Sequence, residues 1–460
     1  MTVQVSPSTI PSPEDLALLS AVEGRDAYLT GLLNQCQAAE LQGIEPETTA
    51  LLKQLRDRAS RWVSTLTFPT KRDEEWRFTD LSPLVQINFQ PAETVNLPES
   101  AVAEFALPDA PIRLVFVNGV YAPQLSAVAD LPEGLVVTNL AQLPLNYRSQ
   151  VGNYLAQQPG SAEVFTALNT AGLTDVAVVW VAKNTVVETP VHLLFLSTTG
   201  EMPTFSQPRC LVVAELGSSV TLVEEYRNHW REAAQGVHFT NAVTEIVLEE
   251  NAQVNHTRVE WQSKVAFRIG KSAIAQARYS RYTCNAITLG AKLSRHNLEV
   301  FQTGEATETT LNGLTLIGGE QVADTHSAIA LNHPNGTSNQ LHKCIIDNRA
   351  HAVFNGKVFV PQAAQFTNAG QLNRNLLLSP KARVDTKPQL EITADQVKCA
   401  HGATVSQLDA DEIFYLQSRG INESNARELL LDAFAAEVLE QIPVASVRKR
   451  LSRCVACRTS

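Results

Sequence analysis

The sequence predicts a mainly β protein whose core is a parallel β-solenoid set between helical ends. Three observations predict it. Between residues 112 and 408 the chain breaks into short runs of β-type sequence, such as IRLVFV, VAVVWVA and VHLLFL. From about residue 210 these runs become repetitive: GSSVTLVEEY, NAQVNHTRVEW, GAKLSRHNLEVF, EATETTLNGLTLI, TSNQLHKCIID, RAHAVFNGKVFV, AAQFTNAGQLN and KARVDTKPQLEI each open on a small or polar turn and run into alternating apolar residues. They recur at roughly a dozen to eighteen residues or a small multiple of it. Outside this region the apolar residues take helical spacing.

Residues 1–12, rich in Pro, Ser and Thr, read as a loose arm. EDLALLSAVEGRDAYLTGLLNQC and PETTALLKQLRDRASRWVSTL then form a helical pair, the second opened by a proline. The polar stretch PTKRDEEWRFTDLSPL (69–84) holds Trp76 and Phe78, and Pro-punctuated sequence follows to about 111, a segment able to wrap over the end of the next unit. The β texture that starts at 112 is interrupted by one helical insert, NYRSQVGNYLAQQPGSAEVFTALN (146–169).

A unit of one strand cannot bury a face alone, so the repeats must stack, with small residues at the corners and Val, Leu and Ile inside. An antiparallel sandwich is the alternative. It would show Asn-Gly or Asp-Gly hairpins between neighbouring runs. Within the repeats from about residue 210 only Asn312-Gly313, Asn335-Gly336 and Asn355-Gly356 offer such pairs, and they also suit solenoid corners.

After 408 the helical period returns. LDADEIFYLQSRG has Asp409 as N-cap, Glu412 completing a capping box and Gly420 as the C′ residue. NESNARELLLDAFAAEVLEQIP places Ala426, Leu429, Leu430, Ala433, Phe434 and Leu439 on one broad stripe, and these two helices are expected to cap the solenoid. The organisation is thus 1–111 helical and extended, 112–408 solenoid, and 409–460 helical.

Composition narrows the function. A formal charge of −10, spread along 460 residues with only the short basic cluster RKRLSR at 448–453, argues against nucleic acid as the main partner. No apolar stretch of about 18 residues and no charged-then-apolar leader is present, so a cytoplasmic protein away from membranes is expected. Seven scattered cysteines suit reduced thiols. The phosphate-binding loops of ATP and dinucleotide sites are absent, as are H-E-x-x-H and G-x-S-x-G, and common hydrolases become improbable.

Three groups of ligating residues remain. Cys454-x-x-Cys457 is a lone pair read as part of an unstructured basic tail. His326, His333, His342 and His351 are spaced by seven and nine residues, out of step with the repeat, and read as structural histidines that do not stack on one face. Cys399 and His401, in VKCAHGATV (397–405), share one face of a strand. Iron or zinc takes about four ligands, so this pair is half of a site completed by a second chain, or else a packed thiol beside a turn histidine.

PTKRDEEWRFTDLSPL (69–84), the run from NGKVFVPQ through VKCAHGATV to LQSRGI (355–421) and the following ARELLLDAFAAEVLEQI together resemble the SufB/SufD family of the Suf iron–sulfur cluster assembly system, and within it the SufD branch. The resemblance implies a right-handed parallel β-helix between helical regions, and a non-catalytic scaffold that pairs with SufB through the β-helices and carries two copies of the ATPase SufC on the C-terminal helical regions. Self-association as a homodimer is possible in isolation. It implies that this chain binds no nucleotide itself, and that Cys399 and His401 lie near the SufB interface as candidate ligands of a nascent Fe–S cluster. Tyr415, Arg419, Leu429, Leu430, Ala433 and Phe434 become candidates for docking SufC. Cys454 and Cys457 have no counterpart in the family pattern. The competing readings are a purely structural partner of SufB that contributes no ligand and, more remotely, a β-helix carbohydrate-active enzyme.

Overall fold

Successive strands from Arg209–Ala214 to Lys398–Ser406 alternate between two sheets, and each pairs in parallel with the strand two places along the chain. Gln253–Gln262, for example, lies between Ser219–His229 and Arg281–Gly290 and pairs with neither of its sequence neighbours. This is a parallel β-solenoid with two strands per turn, as expected. The structure, a computed structural model, describes residues 13–38, 41, 45–229 and 236–457, and the arm at 1–12 lies outside the described residues. The first sheet ends at Arg383–Ile392 and the second at Lys398–Ser406.

Register explains the repeat spacing. In the second sheet His256, Cys284, Leu311, Gln340, Gln371 and His401 stand in one column, with steps of 27 to 31 residues. One full turn therefore costs about two of the repeats read from the sequence, one per sheet. Asn251, Asn335 and Asn348 turn the corners at positive φ, where an Asn side chain is tolerated. Of those three Asn-Gly pairs only Asn335-Gly336 is at a corner, while a fourth, Asn118-Gly119, closes the antiparallel hairpin between Ile112–Val117 and Val120–Tyr121 at positive φ. Gly313 and Gly356 sit inside strands, where a Cβ would lie 2.0 Å from His342 Nδ1 and 2.3 Å from Gln371 Nε2, so they are glycine to leave room for inward side chains.

The helices lie along the flanks, a correction to the expected end caps. Helices Pro13–Gln37 and Pro46–Val63 and the segment through Phe68, Trp76 and Phe89 cover the outer face of the first sheet, against Phe239, Phe267 and Ile269. Three C-terminal helices, Ala410–Ser418, Glu423–Leu439 and Ala445–Cys457, follow the last strand, and Leu431, Ala435, Val438 and Ile442 pack on Val223, Val259, Ile287 and Leu314 of the second sheet. Both sheets carry apolar residues on their outer faces, and only flank packing removes those from water. The expected insert is broken into helix Leu145–Arg148, a 3-10 turn Val151–Asn153 and, beyond Pro159-Gly160, helix Val164–Ala171, which is buried along its whole length and capped by Glu163.

Two further expectations change. Cys454-x-x-Cys457 lies in helix Ala445–Cys457, with Cys454 buried in the flank cluster, because Val447, Leu451 and Val455 give that segment a stripe to bury. The stripe of Glu423–Leu439 that packs is Ala426, Leu431, Ala435, Val438 and Leu439; Leu429 is 49% exposed, Ala433 is exposed, and Leu430 and Phe434 are half-buried.

Candidate functional site

The last rung of the second sheet carries the two residues singled out from sequence. Cys399 pairs with Ala369 and His401 with Gln371, both on the side of the strand that faces the solenoid interior in earlier rungs. Cys399 packs on the edge of the interior cluster, and partial burial pushes its thiol up from the ordinary value. His401 is exposed, because no further rung among the described residues covers the column. Side chains two apart on a strand stand roughly 6–7 Å apart, so a soft thiol and an imidazole lie side by side on an open face.

Below them the interior is polar, which the sequence reading missed. Gln371 Nε2 donates to Gln340 Oε1 at 2.8 Å, and Gln340 Nε2 to Ser327 Oγ at 2.7 Å. Asn373 donates to the carbonyl of His342 at 3.0 Å, and Asn375 to that of Thr404 at 3.0 Å, which ties the terminal strand to the rung beneath. Deeper still lie charges: Glu260 Oε2 is 3.0 Å from Arg258 Nη2 and 2.8 Å from Arg268 Nε, and Arg268 sits 3.5 Å from the Tyr226 ring centroid. His256 Nε2 is 2.8 Å from Glu224 Oε2, and its Nδ1 is 3.0 Å from the Tyr282 hydroxyl. Burial opposes ionisation of Glu224, but the bond to His256 and the nearby cations outweigh it and hold the carboxyl at about 2. Burial likewise opposes charge on His256, and contacts with Cys284 and Glu224 raise it to about 9. The signal was available in the period-two pattern, since Glu224, His256, Arg258 and Glu260 occupy the inward positions of strands read as apolar inside.

The four clustered histidines do not stack on one face. His342 points inward, stacked on Phe354, while His326 and His351 lie on the outer face of the first sheet, bonded to Asp324 and Asp385 at 3.0 and 2.7 Å. His333 sits in a turn, its backbone N–H bonded to Gln302. Among the described residues no three His, Cys, Asp or Glu side chains are grouped as a metal site.

On the C-terminal flank Tyr415 is 59% exposed, with Arg419 5.3 Å from its ring, and Phe414, which the sequence reading did not single out, is 70% exposed. Leu429 adds to this apolar surface, while Phe434 is tied to the solenoid by Lys343, whose Nζ lies 4.4 Å from its ring and donates to its carbonyl.

Sequence comparison fits this architecture. The SufBD core domain of the SUF system for FeS cluster assembly matches residues 195–434, and the SufBD N-terminal region matches 32–193. The chain belongs to the SufBD family. An iron–sulfur cluster assembly SufBD family protein of Synechocystis is 51% identical over 96% of this chain and 99% of its own length. The iron–sulfur cluster assembly protein SufD of Escherichia coli is 32% identical, covering 81% of this chain and 85% of its own. The chloroplastic protein ABCI7 of Arabidopsis thaliana is 34% identical, over 88% and 85%. The family functions in assembling iron–sulfur clusters through the Suf system. No described helix is long and apolar enough to cross a membrane.

Proposed function

We propose that this SufBD family chain is a non-catalytic, cytoplasmic scaffold that pairs with a SufB-type chain through the open end of its solenoid and carries a SufC-type ATPase on its C-terminal flank. The nascent Fe–S cluster is cargo shared between the two scaffold chains. His401 is its ligand from this side, Cys399 a second donor, and the partner supplies the rest. The observation that carries this reading is the uncovered last rung, where a thiol and an imidazole stand on one face with no further strand among the described residues above them.

Neutral imidazole suits a cluster that must leave, because it holds iron less tenaciously than a thiolate does. Phe414, Tyr415 and Leu429 supply an apolar surface on which ATP-driven movement of a docked partner acts. The chain is tested by co-expressing it anaerobically with SufB- and SufC-type proteins and measuring native mass, iron and acid-labile sulfide. A complex of one SufB-type chain, two SufC-type chains and one copy of this chain, carrying cluster, is expected. Elution alone and metal-free would overturn the reading.

A further inference from the structure

Phe267, Leu293, Val322, His351 and Arg383 each open a strand of the first sheet and stand in one column on its outer face. The column runs from apolar to cationic. Across it lies the segment Lys71–Pro83, and between the two is a cavity of about 260 Å³, away from the second sheet that carries Cys399 and His401.

The floor of this cavity is hydrocarbon: Phe267 and Leu293 are buried, and Phe78, Pro83 and Val322 are half-buried. Its rim carries the cations Lys71, Arg77, Lys292 and Arg383 against the carboxylates Asp80 and Glu320. Those carboxylates are engaged elsewhere. Asp80 accepts from the backbone N–H of Ser82 at 2.9 Å and Glu320 is 3.7 Å from Arg349, while Asp385 holds both His351 and Arg383 at 2.7 Å. Lys71, Arg77 and Lys292 make no hydrogen bond or ion pair among the described residues, although Lys71 lies in the field of Asp80. Arg77 is 5.8 Å from the Phe78 ring centroid and Lys292 Nζ 5.5 Å from that of Phe267, so both stand beside the floor.

Cations lining a concavity with a low-dielectric wall focus their field into it. A bare inorganic anion would answer the charge and leave the floor wet. A neutral apolar molecule would cover the floor but strip water from cations that have no partner. An anion carried on an apolar body meets both demands, and the volume suits a small molecule.

We propose that this pocket binds a small amphiphilic anion, an aromatic or branched hydrocarbon body seated on Phe78, Phe267, Leu293 and Val322 with a carboxylate or phosphate head held by Arg77 and Lys292. The test is calorimetric titration of the full chain at low salt with naphthalene-2-carboxylate and 2-naphthyl phosphate, set against 2-naphthylmethylammonium and inorganic phosphate. At least one naphthyl anion should bind about tenfold or more tightly than either control, and the tighter of the two anions identifies the head group. Arg77→Met combined with Lys292→Met keeps both aliphatic stems at exposed positions, so the unfolding curve should match wild type while affinity falls about tenfold or more. Lys449→Met combined with Arg453→Met, an exposed pair on helix Ala445–Cys457, should leave affinity unchanged. The proposal is overturned if neither naphthyl anion binds, or if the ammonium or inorganic phosphate binds as tightly as the anions do. It is equally overturned if the folded Arg77 and Lys292 variant keeps full affinity, or if the Lys449 and Arg453 variant loses as much, which would reduce the effect to general surface charge.

Discussion

His256 Nε2 lies 2.8 Å from Glu224 Oε2 inside the solenoid, both side chains about 1% exposed, so an ion pair sits where water does not reach. Its pH dependence follows from the two shifts. Glu224, depressed to about 2, contributes stability that is present above its unfolded value of about 4.3 and lost as pH falls toward 2. His256, raised to about 9, contributes stability that is complete below about 6.5 and lost as pH rises through 9. Urea unfolding should therefore show the pair's contribution undiminished between about pH 5 and 6.5 and declining toward pH 9. Glu224→Gln, which strands the imidazole, should cost about 3 kcal/mol at pH 6 and flatten the alkaline limb.

Gly313→Ala and Gly24→Ala should differ in sign. The first places a Cβ 2.0 Å from His342 Nδ1 and displaces a ring that bonds Thr315 at 3.1 Å, a loss of about 1–3 kcal/mol. The second has nothing within 4 Å among the described residues in helix Pro13–Gln37 and should gain about 0.5–1 kcal/mol. Thermal unfolding of the two variants reads this directly.

Leu429 and Leu431 test which side of helix Glu423–Leu439 faces the solenoid. Leu431→Ala should destabilise by about 2–5 kcal/mol, since Leu431 is 2% exposed, whereas Leu429→Ala should stay within about 0.5 kcal/mol. If the exposed side docks the ATPase, Leu429→Asp combined with Phe414→Asp should abolish co-purification while leaving the unfolding curve unchanged. Retained co-purification would place the docking surface elsewhere.

His401→Ala should leave the mass of the complex and the stability of this chain unaltered, because the side chain is exposed, while iron and sulfide content fall several-fold. Cys399→Ser tests the neighbouring donor by the same readout. Wild-type cluster yield in both variants would favour a scaffold that contributes no ligand.

The solenoid was legible because strand alternation and turn chemistry are local. Asp409 accepts from Asp411 N at 2.8 Å and Gly420 has φ +87°, as its cap position requires, although Glu412 makes no return bond. Cys399 and His401 could be found as a pair because two residues apart on a strand means one face. The carboxamide and charge ladders could not be assembled from local pattern, since Gln340, Gln371 and His401 meet only when turns of 30 and 31 residues bring them into register.

The sequence by itself determined the repetition of the strands, a solenoid as the better way to stack them, the helical ends and the placing of a thiol beside an imidazole, while the parallel register was settled by the structure. Tertiary structure decided that the helices lie along the flanks and that the interior holds ion pairs. It also decided which side of Leu429-Leu430-Leu431 is buried. Three consecutive leucines cover most of a helix circumference, so the buried face is chosen by the surface it meets, here Val259, Ile287 and Leu314 from three turns of the second sheet.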